Sequence, residues 1–280
     1  MPPGLYAVAT PIGNAGDITL RALEVLRTVD AIACEDTRVT ARLLAIHGIR
    51  RPLLAYHEHN AERARPQIVR RLQEGESLAL VSDAGTPLVS DPGYKLVRAC
   101  HEAGIAVNAL PGPSSVLTAL VLAGLPTDRF LFAGFLPNRS TARRKALAEL
   151  AAIPATLVLM ESPSRLPASL ADMALVLGDR EAAVTRELTK LFEEVRRGGL
   201  ADLAAHYAEA GPPKGEVTVV IGPPSGEREA PAADDLDGWL RDAMAELSVR
   251  DAADRVAGIS DLPRRQVYAR ALELKKEAER

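Results

Sequence analysis

The sequence predicts an α/β protein of two lobes followed by a small helical, helix-turn-helix-like domain. Three observations lead there. Short apolar runs alternate with helix-length amphipathic stretches, the pattern of β-α-β units. That alternation restarts after Gly112, and from about residue 235 the chain reads as helix alone. The expected organisation is an amino-terminal lobe over 1–112, a second lobe over 113–222, a linker over 223–234 and a helical domain over 235–280.

In the first lobe, strands are expected at 5–10, 30–34, 52–56, 77–82 and 105–110, each bounded by Gly, Pro, Asp or Arg. Leu20, Leu23 and Leu26 recur at helical spacing between them, as do Ile68 and Leu72. Asp91-Pro92 reads as a helix start, with a capping carboxylate followed by a proline that the first helical turn tolerates. Helices between strands imply a mainly parallel sheet.

In the second lobe, strands are expected at 130–135, 155–161, 181–186 and 216–222, with helices near 115–123, 141–151, 165–177 and 200–209. Several of these strands should be antiparallel neighbours, because 187–199 mixes charge and glycine and does not read as a crossover helix. The stretch from Pro223 has linker composition. Beyond it, Trp239, Leu240, Met244 and Leu247 form one stripe, residues 248–256 a short helix ended at Gly258, and a third helix starts near Arg264 with Val267, Ala271 and Leu274 inward. Two short helices about a tight turn suit a helix-turn-helix module. The face around Arg264, Arg265, Arg270, Lys275 and Lys276 then either meets phosphate or is the solvated side of a helical cap.

Composition narrows the classes. A chain of 280 residues exceeds one ordinary domain, and 47% hydrophobic content with 4% aromatic residues means aliphatic and alanine cores. Two cysteines, Cys34 and Cys100, make neither a disulfide framework nor a zinc pattern, and read as small buried hydrophobes of a reducing compartment. No apolar run reaches the length of a bilayer span and no signal sequence opens the chain, so a cytoplasmic, membrane-free protein is expected. The net charge of −3 neither requires nor excludes nucleic acid.

Three small-residue loops follow expected strands: Ala9-Thr-Pro-Ile-Gly-Asn14, Ser82-Asp-Ala-Gly-Thr-Pro87 and Pro111-Gly-Pro-Ser-Ser115. Open α/β sheets bind ligands outside the carboxyl ends of their strands, so these loops should converge on one crevice. Neither a G-x-G-x-x-G nor a phosphate-loop pattern occurs. The expected ligand is therefore large, mostly uncharged over its surface, and held by backbone amides and apolar walls.

With Glu35-Asp-Thr-Arg38, His57-Glu-His-Asn60, Ser90-Asp-Pro-Gly93, Gly134-Phe-Leu-Pro137, Glu161-Ser-Pro163, Arg186-Glu-Leu-Thr-Lys190 and Lys214-Gly-Glu216, these loops carry a resemblance over residues 4–222. The chain resembles the ribosomal RNA small subunit methyltransferase I family, a branch of the tetrapyrrole-methylase-like S-adenosylmethionine methyltransferases. The resemblance implies two αβα lobes of the tetrapyrrole methylase type, with S-adenosylmethionine in the cleft between them, and a homodimer. It also implies 2′-O-methylation of a cytidine in the decoding region of 16S rRNA, with the small ribosomal subunit as partner. Ala15 and Ser164 depart from the family pattern, where leucine and histidine or arginine are common.

Methyl transfer from a sulfonium to a hydroxyl oxygen asks the protein to position, to exclude water and to handle one proton. Close backbone approach assigns Gly85, Thr86, Ser114 and Ser115 to the cofactor, with Pro11 as wall and Leu88 and Met160 as apolar cover. Asp83 either accepts the ribose proton or caps a turn. Glu161, Arg186 and Lys190 are the other catalytic candidates: a carboxylate, or a lysine of lowered pKa, could assist deprotonation, and the cations could grip RNA. Glu35, Asp36 and Arg38 are a surface ion-pair group or part of the site. Arg38, His57, His59, Asn60, Arg143, Arg144, Arg264 and Arg265 are the candidate RNA contacts, with Lys145, Arg196 and Arg197 as further possible phosphate partners. His57 and His59 lack a third ligand at metal spacing, so no metal is expected. Two other readings share these features: a small-molecule methyltransferase of the tetrapyrrole type, and a noncatalytic RNA-binding or assembly factor.

Overall fold

A computed structural model describes residues 1–90, 93–224, 233–260 and 264–278. Its contacts divide the chain into a unit over Met1–Pro224 and a second over Ser225–Arg280.

The first unit opens with β1 (Gly4–Val8), α1 (Leu20–Thr28), β2 (Ala31–Cys34), α2 (Thr37–Ile46), β3 (Leu53–Ala55), α3 (Ala61–Gln73), β4 (Ser77–Val81), α4 (Tyr94–Glu102) and β5 (Val107–Leu110). The strands form a fully parallel sheet in the order β3-β2-β4-β1-β5. Side chains alternate between its faces. Tyr6, Val8, Ile32 and Val81 pack under α1 and α2, while Leu5, Ala33, Leu78 and Leu80 pack against α3 and α4. Burial on both sides explains why these strands read as continuous apolar runs. The Asp91-Pro92 helix start lies outside the described residues; α4 begins at Tyr94 after Gly93.

The chain continues through α5 (Ser115–Ala123), β6 (Phe130–Phe135), α6 (Ser140–Leu150), β7 (Thr156–Glu161), α7 (Leu166–Leu177), β8 (Glu181–Arg186), β9 (Glu194–Gly199), α8 (Leu200–Ala210) and β10 (Val217–Ile221). The second sheet runs β6-β7-β10-β8-β9, parallel only between β6 and β7. Leu157, Leu159, Val184 and Val219 face α6, α7 and α8. On the other face, Val158, Ala183 and Val220 pack against Val116 and Leu120 of α5, joined by Ile12 from the loop after β1. One core therefore draws on both lobes, and each fully buried Leu or Val in it contributes about 1.5–3 kcal/mol.

Periodicity gives no sign of β9, whose Glu-Val-Arg-Arg-Gly-Gly segment lacks apolar alternation. It forms by pairing with β8 from Glu181↔Gly199 to Arg186↔Glu194. As an edge strand it carries charge, which discourages pairing with foreign strands.

The second unit holds α9 (Ala233–Glu246), α10 (Val249–Ser260) and α11 (Arg264–Ala278). Leu240, Ala252, Val256, Val267 and Ala271 make its core. Helix α10 runs through Gly258 to Ser260 and does not stop at the glycine. Residues 261–263 of the expected turn, and 225–232 of the expected linker, lie outside the described residues.

Candidate active site

The three loops meet because β1 lies between β4 and β5. Hydrogen bonds stitch them together. Thr10 and Gly85 exchange backbone bonds of 2.9 and 3.0 Å, the Thr10 hydroxyl donates to Ser82 C=O (3.2 Å), and the Thr86 hydroxyl donates to Pro113 C=O (3.0 Å). Gly85 turns at φ +76°, a left-handed conformation that glycine adopts freely, and a Cβ there would stand 3.3 Å from Ile12.

Between these loops and the second sheet lies a cavity of about 380 Å³. Gly85, Thr86, Ser114, Ser115 and Met160 all line it, with Ile12, Val89 and Phe135 as further apolar walls that sequence reasoning did not single out. Ser114 caps α5 by accepting from Leu117 N–H. The first-turn amides of that helix carry its positive dipole end. The ionisable side chains on the cavity wall are the carboxyls of Glu161 and Glu216. Such a lining suits a mostly apolar ligand with a cationic centre.

Two of the expected cofactor residues, Leu88 and Pro11, are not among those that line the cavity. Leu88 takes φ +75° and packs with the first-lobe core around Leu80 and Leu96, so Val89 faces the cavity in its place. Pro11 is buried in the loop, and Ile12 next to it is the wall residue.

The catalytic candidates separate. Asp83 stands beside Ala84 of the cavity and accepts from Asp36 N–H at 3.0 Å, tying the loop after β4 to the one after β2. Glu161 lines the cavity, but both its oxygens are engaged: Ser162 N–H (2.7 Å) and Arg165 (2.5 Å) on one, the Ser169 hydroxyl (2.5 Å) on the other. It organises the wall. Lys190 is not the lysine of lowered pKa the sequence suggested. Burial pulls its pKa down, yet Glu187 at 2.9 Å and Glu216 at 3.2 Å outweigh that and leave it raised. Arg186 is consumed within the lobe, donating to Lys214 C=O (3.2 Å) and Glu194 (3.0 Å).

Several expected RNA contacts are likewise internal. Arg143 is 4% exposed and paired at 2.6 Å with the equally buried Asp172, so it cannot meet phosphate. Arg144 binds the same carboxylate from a half-exposed position. The Asn60 amide is turned inward, accepting from His57 N–H and donating to Ala55 C=O. Arg196 pairs with Glu194. Arg197 donates to the carbonyls of Leu122 and Ala123 and so caps the carboxyl end of α5. Arg38 remains 88% exposed, although Asp36 holds it in a fork. That contact and the Arg38 backbone N–H lower the Asp36 pKa to about 2. His57 and His59 contact each other edge-on.

In the helical unit, Arg264 pairs with Asp254, Arg265 is exposed, and Arg270 is locked on the buried Asp237. Among the described residues no group of three or more His, Cys, Asp or Glu could hold a metal, and no helix is long and apolar enough to cross a membrane.

Two α/β lobes with a ligand cavity at the joined loops define a class III methyltransferase architecture, and residues 4–204 match the family of Tetrapyrrole (Corrin/Porphyrin) Methylases. Residues 229–275 match the RsmI C-terminal HTH domain. The chain belongs to the ribosomal RNA small subunit methyltransferase I family. It is 53% identical to the Ribosomal RNA small subunit methyltransferase I of Mesorhizobium japonicum over 98% of this chain and 92% of that one. It is 47% identical to that of Escherichia coli O157:H7 over 96% and 94%. Among solved structures, diphthine synthase aligns at TM-score 0.60 and 18% identity, covering 78% of this chain and 89% of that one. Uroporphyrin-III C-methyl transferase from Thermus thermophilus, complexed with S-adenyl homocysteine, aligns at 0.55 and 20%, covering 78% and 97%. These two likenesses are of fold.

Proposed function

We propose that the protein transfers a methyl group from S-adenosylmethionine to the ribose 2′-oxygen of a cytidine in the decoding region of 16S rRNA. The observation that carries this reading is the cavity of about 380 Å³ where the loops after β1, β4 and β5 are bonded together against the second sheet. The residues fit the cofactor. Its volume falls in the range of small-ligand sites. Gly85 leaves space beside Ile12, and Ile12, Val89 and Met160 supply apolar cover. Glu161, paired with Arg165, and Glu216, paired with Lys190, line the cavity and would sit near the sulfonium and the α-amine, and the first turn of α5 suits a carboxylate.

When bound, S-adenosylmethionine supplies the activated methyl group and its leaving group. The protein positions the acceptor in line, excludes water and takes one proton. Asp83 takes that proton: it directly precedes the cavity-lining Ala84, and a single backbone N–H engages one of its oxygens. Arg38 and His59 contact the RNA beyond it, and Arg265 in the helical unit adds a phosphate contact.

A second copy completes the molecule as a homodimer. Leu117 and Val121 on one face of α5, and Leu191 and Phe192 after β8, are large apolar side chains more than half exposed. Sedimentation should return the dimer mass, and charged substitutions at Leu117 and Val121 should return the monomer. An rRNA substrate places the protein in the cytoplasm.

The test is transfer of tritiated methyl to small ribosomal subunits lacking the modification, against free porphyrin precursors. Label on a ribose 2′-oxygen of the RNA supports the reading, and label in the porphyrin precursor or in neither overturns it. Asp83→Asn keeps the acceptor for Asp36 N–H, so it should lower kcat at least about 100-fold, the low end for a positioned base. Calorimetric affinity for S-adenosylmethionine should not change.

A further inference from the structure

A second cavity, of about 710 Å³, opens at the carboxyl ends of β2 and β3 and shares Ser90 with the cofactor cavity. Its walls combine three chemistries. Tyr94, the first residue of α4, is 61% exposed and supplies an aromatic ring, and the buried Tyr56 also lines the cavity. Arg65 and Lys95 supply cations, and Glu35, Glu58 and Glu62 supply carboxyls. Two polar groups there are unspent among the described residues. The Arg65 Nε is buried without a hydrogen-bond partner, and no hydrogen bond or ion pair engages the Glu35 carboxyl.

We propose that this groove seats the target nucleotide outside its helix, with the base on Tyr94, a phosphate at Arg65 and Lys95, and Glu35 reading the base edge. The inference rests on the RNA-methyltransferase reading and deepens it. Single-stranded bases are held by stacking on aromatic rings with cations along the backbone, the combination found here. A carboxylate accepts from the exocyclic amine of cytosine, whereas uracil offers it a carbonyl oxygen at the same position. Glu35 is therefore the specificity residue that favours cytidine over uridine. Burial, and then the neighbouring Asp83, push its carboxyl above the ordinary value, while His57 opposes them. Ser90 lines both cavities and Asp83 directly precedes the cavity-lining Ala84, so the acceptor ribose would lie between the groove and the cofactor cavity.

The experiment compares methylation of small subunits carrying cytidine or uridine at the target by the full-length protein and its Glu35→Gln and Tyr94→Ala variants. Glu35→Gln, which can donate as well as accept, should narrow the cytidine-to-uridine ratio of kcat/KM by about tenfold or more, as expected for one base-edge contact. Tyr94→Ala should raise KM for both subunits about tenfold, the loss of one stacking contact. Affinity for S-adenosylmethionine should hold in both. A purely structural role for Glu35 would move both substrates equally and leave the ratio untouched, which overturns the proposal. An independent readout needs no methylation: cytidine monophosphate should shift the Tyr94 ring resonances more than uridine monophosphate, and Glu35→Gln should erase the difference. Absence of any Tyr94 shift overturns the seat. Loss of RNA methylation in the wild-type protein with that shift intact overturns the reaction instead.

Discussion

At the scale of single residues, what a charged side chain can do is set by how it is spent. Asp172 is 3% exposed and receives Arg143, Arg144 and Ser140. Burial pushes its carboxyl up, but hydrogen bonds from Arg144, Ser140 and Arg143 outweigh burial and leave it below the ordinary value. A carboxyl depressed in the folded state stabilises above its unfolded pKa, near 4, and that contribution is lost as pH falls through the folded value. Asp172→Asn should therefore be less stable at pH 7 by about 3 kcal/mol or more, because two arginines lose their counter-charge. Urea titrations from pH 7 to 2 should show the gap between variant and wild type closing in acid. A gap independent of pH would mean that packing, and not charge, holds this cluster.

At the scale of elements, the lobes are joined where loops touch. Gly13 sits so close to the loop after β8 that a Cβ would come within 2.5 Å of Lys190 Cγ, 2.8 Å of Thr189 Oγ1 and 2.9 Å of the Leu188 carbonyl oxygen. Asn14 N–H donates to Thr189 Oγ1 at 3.0 Å in the same contact. The partner loop holds Glu187 and Thr189 at φ +50° and +63°, a conformation costly for residues with side chains. Glu187 fixes it by accepting from Lys190 and from Glu216 N–H. Gly13→Ala should thus cost about 1–3 kcal/mol, the price of overpacking a rigid contact. It should also weaken S-adenosylmethionine binding in calorimetry, since Ile12 next to it walls the cavity. Unaltered affinity with unaltered stability would show that the loop after β8 yields freely. Lys190 belongs to this fastening through Glu187 and Glu216, whereas Arg186 is bonded to Lys214 C=O and Glu194.

At the scale of the whole molecule, Met1–Pro224 and Ser225–Arg280 are separate compact units, each with its own core. A chain ending at Pro224 should bind S-adenosylmethionine as the full protein does and bind small ribosomal subunits about tenfold or more weakly. Equal subunit affinity in filter binding would make the helical unit a cap without an RNA role. Alternation of apolar runs made the order of strands and helices legible, and turn chemistry marked the three loops, because both are properties of neighbours in the chain. Strand β9 was illegible because its only cause is pairing with β8. The same holds for Arg143 and Arg197: basic runs on paper, they are committed to Asp172 and to the end of α5, 29 and 74 residues away. By itself, then, the sequence determined the two-lobe α/β architecture, the three loops that meet at the cavity, and the family. Only the tertiary structure decided which ionisable groups remain available to a substrate, because burial and counter-charge come from residues distant in the chain.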